Sequence, residues 1–124
     1  MEAGDTFIRG DADKHLWVIL SDPKVDREKV LLVNLTTLDA RKEKACILQP
    51  GDHPWITHDT CVNYGDSVVT TLANLNAAKD GGAIKMHPRV SPIVLKKIRD
   101  SALESERMSM ENADILTDQG LVDC

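Results

Sequence analysis

Short apolar runs alternate with turn-forming residues along the first two-thirds of the chain. The two clearest runs, residues 16–20 and 30–35, are rich in β-branched and leucine side chains, and both predict strands. The second run is apolar without interruption, which is typical of a strand that is buried on both faces. Weaker strand patterns follow at residues 46–48, 60–64, 67–70 and 83–86. Gly65-Asp66 separates the pattern at 60–64 from the one at 67–70.

Two segments have helical spacing instead. Thr71 is a good N-cap for a short helix that Gly81-Gly82 would end, and Ser91-Pro92 is a good N-cap and first-turn pair for an amphipathic helix over residues 92–103. Many short strands and few helices predict a mainly β fold, a small antiparallel barrel with peripheral helices, over residues 1–103. Residues 104–124 have weak periodicity and are predicted to be an acidic C-terminal tail, either a helical extension or disordered.

The charge is unevenly distributed. The chain has 124 residues, which fits one domain, and its net charge is −5. From residue 101 onward the chain has six acidic residues and a single basic one, Arg107, whereas the charges of the preceding residues sum to zero. A neutral body lacks the electrostatic footprint of a tight nucleic-acid binder. The basic cluster that contains Arg41 and Lys42 is therefore either a solvated turn or a short rim that contacts phosphate.

Cysteine usage and hydropathy favour a reduced compartment. The three cysteines are widely spaced, without a Cys-x-x-Cys pair, so a disulfide scaffold or a cysteine zinc ribbon is not expected. The longest apolar run falls far short of the roughly 20 residues that a membrane span needs. The polar, acidic start of the chain is unlike a signal peptide. We expect a soluble cytoplasmic protein with no membrane association.

Five segments in collinear order resemble those of a known family. Gly4-Asp5 corresponds to the pair that opens the family's first strand, and HLWVILS at residues 15–21 resembles its Arg-Pro-x-Val-Val-x-Ser strand. Residues 30–37 resemble the next strand, which ends in Thr-Thr or Thr-Ser. Residues 62–69 and 90–98 resemble the strand before its short helix and its final stretch. The family is that of the PemK/MazF toxin endoribonucleases, and the resemblance covers about residues 4–100.

The resemblance implies a fold, an activity and partners. The fold is an SH3-like barrel, and the activity is cleavage of single-stranded RNA without a metal or other cofactor, leaving a 2′,3′-cyclic phosphate. The partners are a cognate antitoxin protein and a second copy of the chain in a homodimer. The family's catalytic threonine falls on Thr36, but its catalytic arginine falls on His15.

Histidine chemistry offers a way to accommodate that difference. Cleavage of RNA without metal needs a base, an acid and donors to the phosphate, and an imidazole titrates near working pH. Of the four histidines, we expect His15 to replace the arginine and to act with His58 or His53 as an acid–base pair. The remaining substrate contacts are expected from Thr36 to the phosphate, from Trp55 or Tyr64 to a base, and from Arg41 and Lys42 at the rim.

Other interpretations of these residues remain open. His53 and His58 could belong to a loop network with Asp52 and Asp59, or could join Cys61 in an open zinc site whose spacing matches no standard motif. The whole chain could also be a catalytically inactive protein-binding module that kept the barrel. The neutral charge and the missing arginine favour that alternative.

Overall fold

A computed structural model describes residues 1–10 and 15–122 of the chain. Within these described residues, six strands form one antiparallel sheet that curls into a half-barrel, and three helices pack around it. The sheet order is β4-β5-β3-β2-β1-β6. The elements are β1 Thr6–Arg9, β2 Leu16–Ile19, β3 Val30–Thr37, β4 Ile47–Leu48, β5 Thr60–Thr70, α1 Leu72–Asp80, β6 Ile84–His87, α2 Pro92–Ala102 and α3 Met110–Asp118.

The predicted mainly β fold with peripheral helices is confirmed. The prediction of two separate strands at residues 60–64 and 67–70 is wrong. Residues 60–64 and 67–70 form the single strand β5, which runs through Gly65 and Asp66. β5 has 11 residues and its partner β3 has 8, so the ladder cannot match residue for residue. A register shift opposite Leu32 and Asn34 absorbs the difference. Gly65 lies in this irregular stretch of β5, where a glycine is common. In the sequence alone, the same glycine suggests a turn between two strands.

The central strand β3 is buried on both faces, as its uninterrupted apolar run predicts. Leu31, Val33 and Leu35 point into the larger core cluster, which α2 and α3 cover. Val30 and Leu32 point into a smaller cluster beneath α1. Alternation along one strand therefore feeds two cores.

The helix caps agree with the sequence. The Thr71 hydroxyl accepts a hydrogen bond from the Asn74 amide at 3.0 Å, and the Ser91 hydroxyl accepts one from the Val94 amide at 3.1 Å. The first helix ends at Gly81, and the next residue, Gly82, has a φ of 80°, a conformation that favours glycine. Along the described part of the chain, no helix has the length and apolarity to cross a membrane.

The acidic C-terminal segment is a packed part of the same core. It contains α3, whose Ile115 and Leu116 join the larger cluster, and the Gln119 side chain accepts a hydrogen bond from the Asp22 amide at 2.8 Å. The sequence leaves residues 104–124 as either a helical extension or disordered, and the structure has a helix at residues 110–118. Residues 123 and 124 lie outside the described ranges. The periodicity is weak because so short a helix contributes only two adjacent apolar residues to the core.

Candidate functional site

The sheet face beneath α1 changes character halfway along β3. Toward Val30 its side chains are apolar and pack against Leu75 of α1, whereas toward the other end they become polar. Cross-strand pairs define this second region: Trp17 with Asn34, Asn34 with Asn63, and Thr36 with Cys61. We call this region the polar half-face; its members are His15, Trp17, Asn34, Thr36, Cys61 and Asn63.

His15 and Thr36 share the polar half-face. β2 pairs Leu16 with Leu35, so continuing the register by one residue places His15 opposite Thr36. The His15 Nδ1 lies 3.2 Å from the Leu35 carbonyl oxygen. Because a carbonyl oxygen can only accept, Nδ1 carries the hydrogen in this contact. His15 and Thr36 therefore lie at neighbouring ends of β2 and β3.

Lys42 adds a positive charge to this pair. Its ammonium donates to the Thr36 hydroxyl at 3.4 Å. The turn that returns Lys42 to the sheet is held by Asp39, whose carboxylate accepts from the Arg41 amide at 2.8 Å and whose carbonyl accepts from the Lys42 amide at 3.1 Å. A hydroxyl, an imidazole and an ammonium thus lie at one end of β3, which is the combination needed to bind a phosphate and move a proton.

Arg41 has a different environment from its neighbour. Its side chain is 90% exposed and lies 3.8 Å from the Asp39 carboxylate. The Arg41 carbonyl accepts a hydrogen bond from the Arg107 guanidinium at 3.2 Å, which ties this loop to the segment before α3. Of the two basic residues predicted at the rim, Lys42 touches Thr36 and Arg41 faces solvent.

His53 has a structural environment that does not suit acid–base chemistry. The side chain is 3% exposed, and its Nδ1 accepts a hydrogen bond from the Trp55 amide at 3.0 Å. Its Nε2 consequently carries the proton and donates to the Pro88 carbonyl, which also accepts from the Thr6 hydroxyl at 2.7 Å. Both nitrogens are occupied, so the expected pairing of His53 with His15 is wrong. His53 joins its loop to the segment that follows β6.

His58 is exposed and has local partners. Its Nε2 lies 2.9 Å from the Thr37 hydroxyl and its Nδ1 lies 3.2 Å from the Thr57 hydroxyl. Side chains alternate along a strand, so Thr37 points away from the polar half-face on which Thr36 lies. The pairing of His58 with His15 therefore stays a prediction.

Neither of the two aromatic side chains expected to stack on RNA is fully exposed to solvent. Tyr64 is fully buried, and its hydroxyl donates to the Ile98 carbonyl at 2.7 Å. Burial also raises the pKa of this hydroxyl. Tyr64 is therefore a core residue, and the expectation that it stacks a base is wrong. Trp55 is partly buried against the larger core cluster, on the other side of the sheet from Thr36.

Trp17 is the aromatic residue on the polar half-face and belongs to the smaller core cluster; the apolar run at residues 16–20 predicts its strand but does not single it out. It is 4% exposed, and the guanidinium of the exposed residue Arg9 lies over its ring, 4.8 Å from the centroid. The signal was present in the chain: a period of two places Trp17 on the same face as His15. A run that is apolar on both faces hides that signal.

The cysteines and histidines do not assemble into a metal site within residues 1–10 and 15–122, where no cluster of three such ligands occurs. The proposed set of His53, His58 and Cys61 fails at His53, because both of its nitrogens hold protein partners.

Burial raises the pKa of both described thiols, Cys46 and Cys61. Because the thiolate is the reactive form, we expect both to react slowly with a disulfide reagent in the native protein and fast after unfolding. The measurement is thiol titration in a Cys124→Ser variant, with and without guanidinium. Equal rates in the two states would show that these sulfurs are accessible.

Comparisons with known proteins identify no relative. Neither a scan against protein-family models, nor a search of curated proteins, nor a search of solved structures finds a match to this chain.

Proposed function

We propose that this protein is a metal-independent endoribonuclease of the PemK/MazF type that cuts single-stranded RNA at the polar half-face. The observation that supports this most is the contact of Lys42 with Thr36, directly across the sheet from His15. The resembling family uses an arginine where this chain has His15. Here a lysine from the following loop supplies a cation at the same strand end.

The proposed reaction follows from the chemistry of the three side chains. The His15 imidazole takes the proton of the ribose 2′-hydroxyl, whose oxygen attacks the adjacent phosphorus. The Thr36 hydroxyl and the Lys42 ammonium bind the phosphate oxygens and stabilise the charge that develops on them. As the bond to the 5′-oxygen breaks, Lys42 donates a proton to that oxygen. The products are a 2′,3′-cyclic phosphate and a free 5′-hydroxyl.

The partners are part of the same proposal. The protein would act as a homodimer and be inhibited by a cognate antitoxin, as the resemblance implies. The basic groups that contact the polar half-face, Arg9 at Trp17 and Lys42 at Thr36, would attract RNA locally although the chain as a whole is acidic.

Cleavage in the presence of a chelator tests the activity. We expect the purified protein to cut a fluorogenic single-stranded RNA at the same rate with and without EDTA, because every group in the proposed reaction belongs to the chain. A 2′-O-methyl copy of that RNA should stay intact, since its 2′-oxygen cannot lose a proton and attack. If a folded preparation cuts neither RNA, the proposed activity is refuted.

An inactive protein-binding module is the second candidate. The packing of α3 onto the core favours it, because this helix adds an exposed acidic surface with Glu111, Asp114 and Asp118 to the domain. Expression without a partner distinguishes the two functions: a nuclease arrests growth unless its antitoxin is present, and a module does not.

A further inference from the structure

The polar half-face contains one amide that the fold does not satisfy. Asn34 lies in the middle of β3 and is 1% exposed, and its Oδ1 has no hydrogen-bond partner among the described residues. A buried polar atom without a partner costs free energy, so such atoms are rare in native proteins. The next residue across the sheet, Asn63, is partly exposed and donates its own amide to the Asp66 carboxylate at 2.9 Å. It is therefore engaged elsewhere.

The other neighbour of Asn34 is an aromatic surface. The register pairs Asn34 with Trp17, and the Arg9 guanidinium lies over the Trp17 ring. A guanidinium is flat and stacks on an indole much as a nucleobase does. Arg9 is an exposed residue at the end of β1. Beneath it, an indole face and an unpaired acceptor lie side by side.

We propose that Trp17 and Asn34 form a nucleobase subsite, in which a base stacks on the indole in place of Arg9 and donates a hydrogen bond to Asn34 Oδ1. This proposal rests on the proposed function, because it places the subsite on the same face as Thr36, one pair of residues along β3. The displaced guanidinium covers the outer side of the base or binds the neighbouring phosphate.

The acceptor determines which bases fit. Adenine and cytosine carry an amino group at the edge where guanine and uracil carry a carbonyl oxygen. An amino group satisfies Asn34 Oδ1, whereas a carbonyl oxygen is repelled by it and leaves both atoms unpaired. The subsite therefore favours adenine or cytosine over uracil at this position, by about the free energy of one hydrogen bond to a buried acceptor.

Binding of three uncleavable oligonucleotides tests the subsite. The probes are 2′-O-methyl hexamers of adenosine, cytidine and uridine, in which the attacking oxygen is blocked. We expect the adenosine and cytidine hexamers to bind about three- to tenfold tighter than the uridine hexamer. In a Trp55→Phe variant, where Trp17 is the remaining tryptophan, the amino hexamers should also quench the indole fluorescence by stacking.

An apolar substitution separates recognition from folding. Asn34→Leu should abolish the preference and keep the thermal midpoint at or above that of the wild type, because it removes an unpaired amide. Asn112→Leu is the matched control, since Asn112 lies on α3 and bonds Ser67; it should keep the preference.

The possible results distinguish the two proposals. Equal binding of all three hexamers, a preference for uridine, or a preference that survives Asn34→Leu overturns the subsite and leaves the RNA-directed function standing. If the wild type binds none of the hexamers and cuts no RNA, the function itself fails, and the subsite fails with it.

Discussion

Replacing His15 with alanine is expected to lower the rate of RNA cleavage by about 10²- to 10⁴-fold. The contact of His15 Nδ1 with the Leu35 carbonyl holds the ring against β3, the strand that carries Thr36. Removal of the ring leaves Thr36 and Lys42 to bind the phosphate, and no group at that position to accept the 2′-hydroxyl proton. The measurement is the initial rate on the fluorogenic RNA at saturating concentration, with circular dichroism to confirm the fold.

A second histidine and an added base provide the controls for this result. His58→Ala removes an exposed imidazole that contacts Thr37 and Thr57, and it should leave the rate close to that of the wild type. Free imidazole should restore part of the activity of His15→Ala, since the vacated position admits a small base. A rate that is unchanged in His15→Ala would exclude this residue from the reaction. A large loss in His58→Ala would instead assign the acid to His58.

Leu116→Ala is expected to lower the free energy of unfolding by about 2–5 kcal/mol. Leu116 is fully buried in the larger core cluster, although it belongs to the acidic segment that the sequence suggests is peripheral. Truncation there removes apolar contacts and leaves a cavity between α3 and the sheet. For a domain that is stable by only about 5–15 kcal/mol, this loss is a large fraction of the total. Urea denaturation followed by circular dichroism measures it.

Met110 supplies the matched control for this measurement, because it is on the same helix and is 80% exposed. Met110→Ala should change the free energy of unfolding by less than about 0.5 kcal/mol, as is usual for surface substitutions. If the two variants are equally stable, α3 does not belong to the cooperative core.

The elements that the sequence predicts well are those whose signals are local. Strands β2 and β3 follow from apolar runs, and the first two helices follow from cap residues that make the expected bonds. The continuous strand β5 was missed because its glycine serves a bulge rather than a turn, and a bulge depends on the partner strand. α3 was uncertain for a similar reason: its order comes from packing and not from its own pattern.

The residues of the candidate site also differ in whether their positions follow from local sequence or from contacts with distant residues. Thr36 and His15 are predictable because adjacent antiparallel strands bring their ends together. His53 was misassigned because hydrogen bonds to Pro88 and Trp55 depend on contacts that are distant in sequence or specific to the loop. Lys42 was predicted as a general rim residue, but its contact with Thr36 requires the path of the loop.

The place of β1 in the sheet has a consequence for how the protein is made. β1 pairs with β2 on one side and with β6 on the other, so the start of the chain is completed only by residues 84–87. A chain emerging from the ribosome cannot close this ladder until residues 84–87 have been synthesised, and contacts so far apart in sequence form slowly. The Pro88 carbonyl, which bonds Thr6 and His53, is joined at the same late stage. The first strand of the nascent protein would thus stay without its β6 partner until residues 84–87 have left the ribosome.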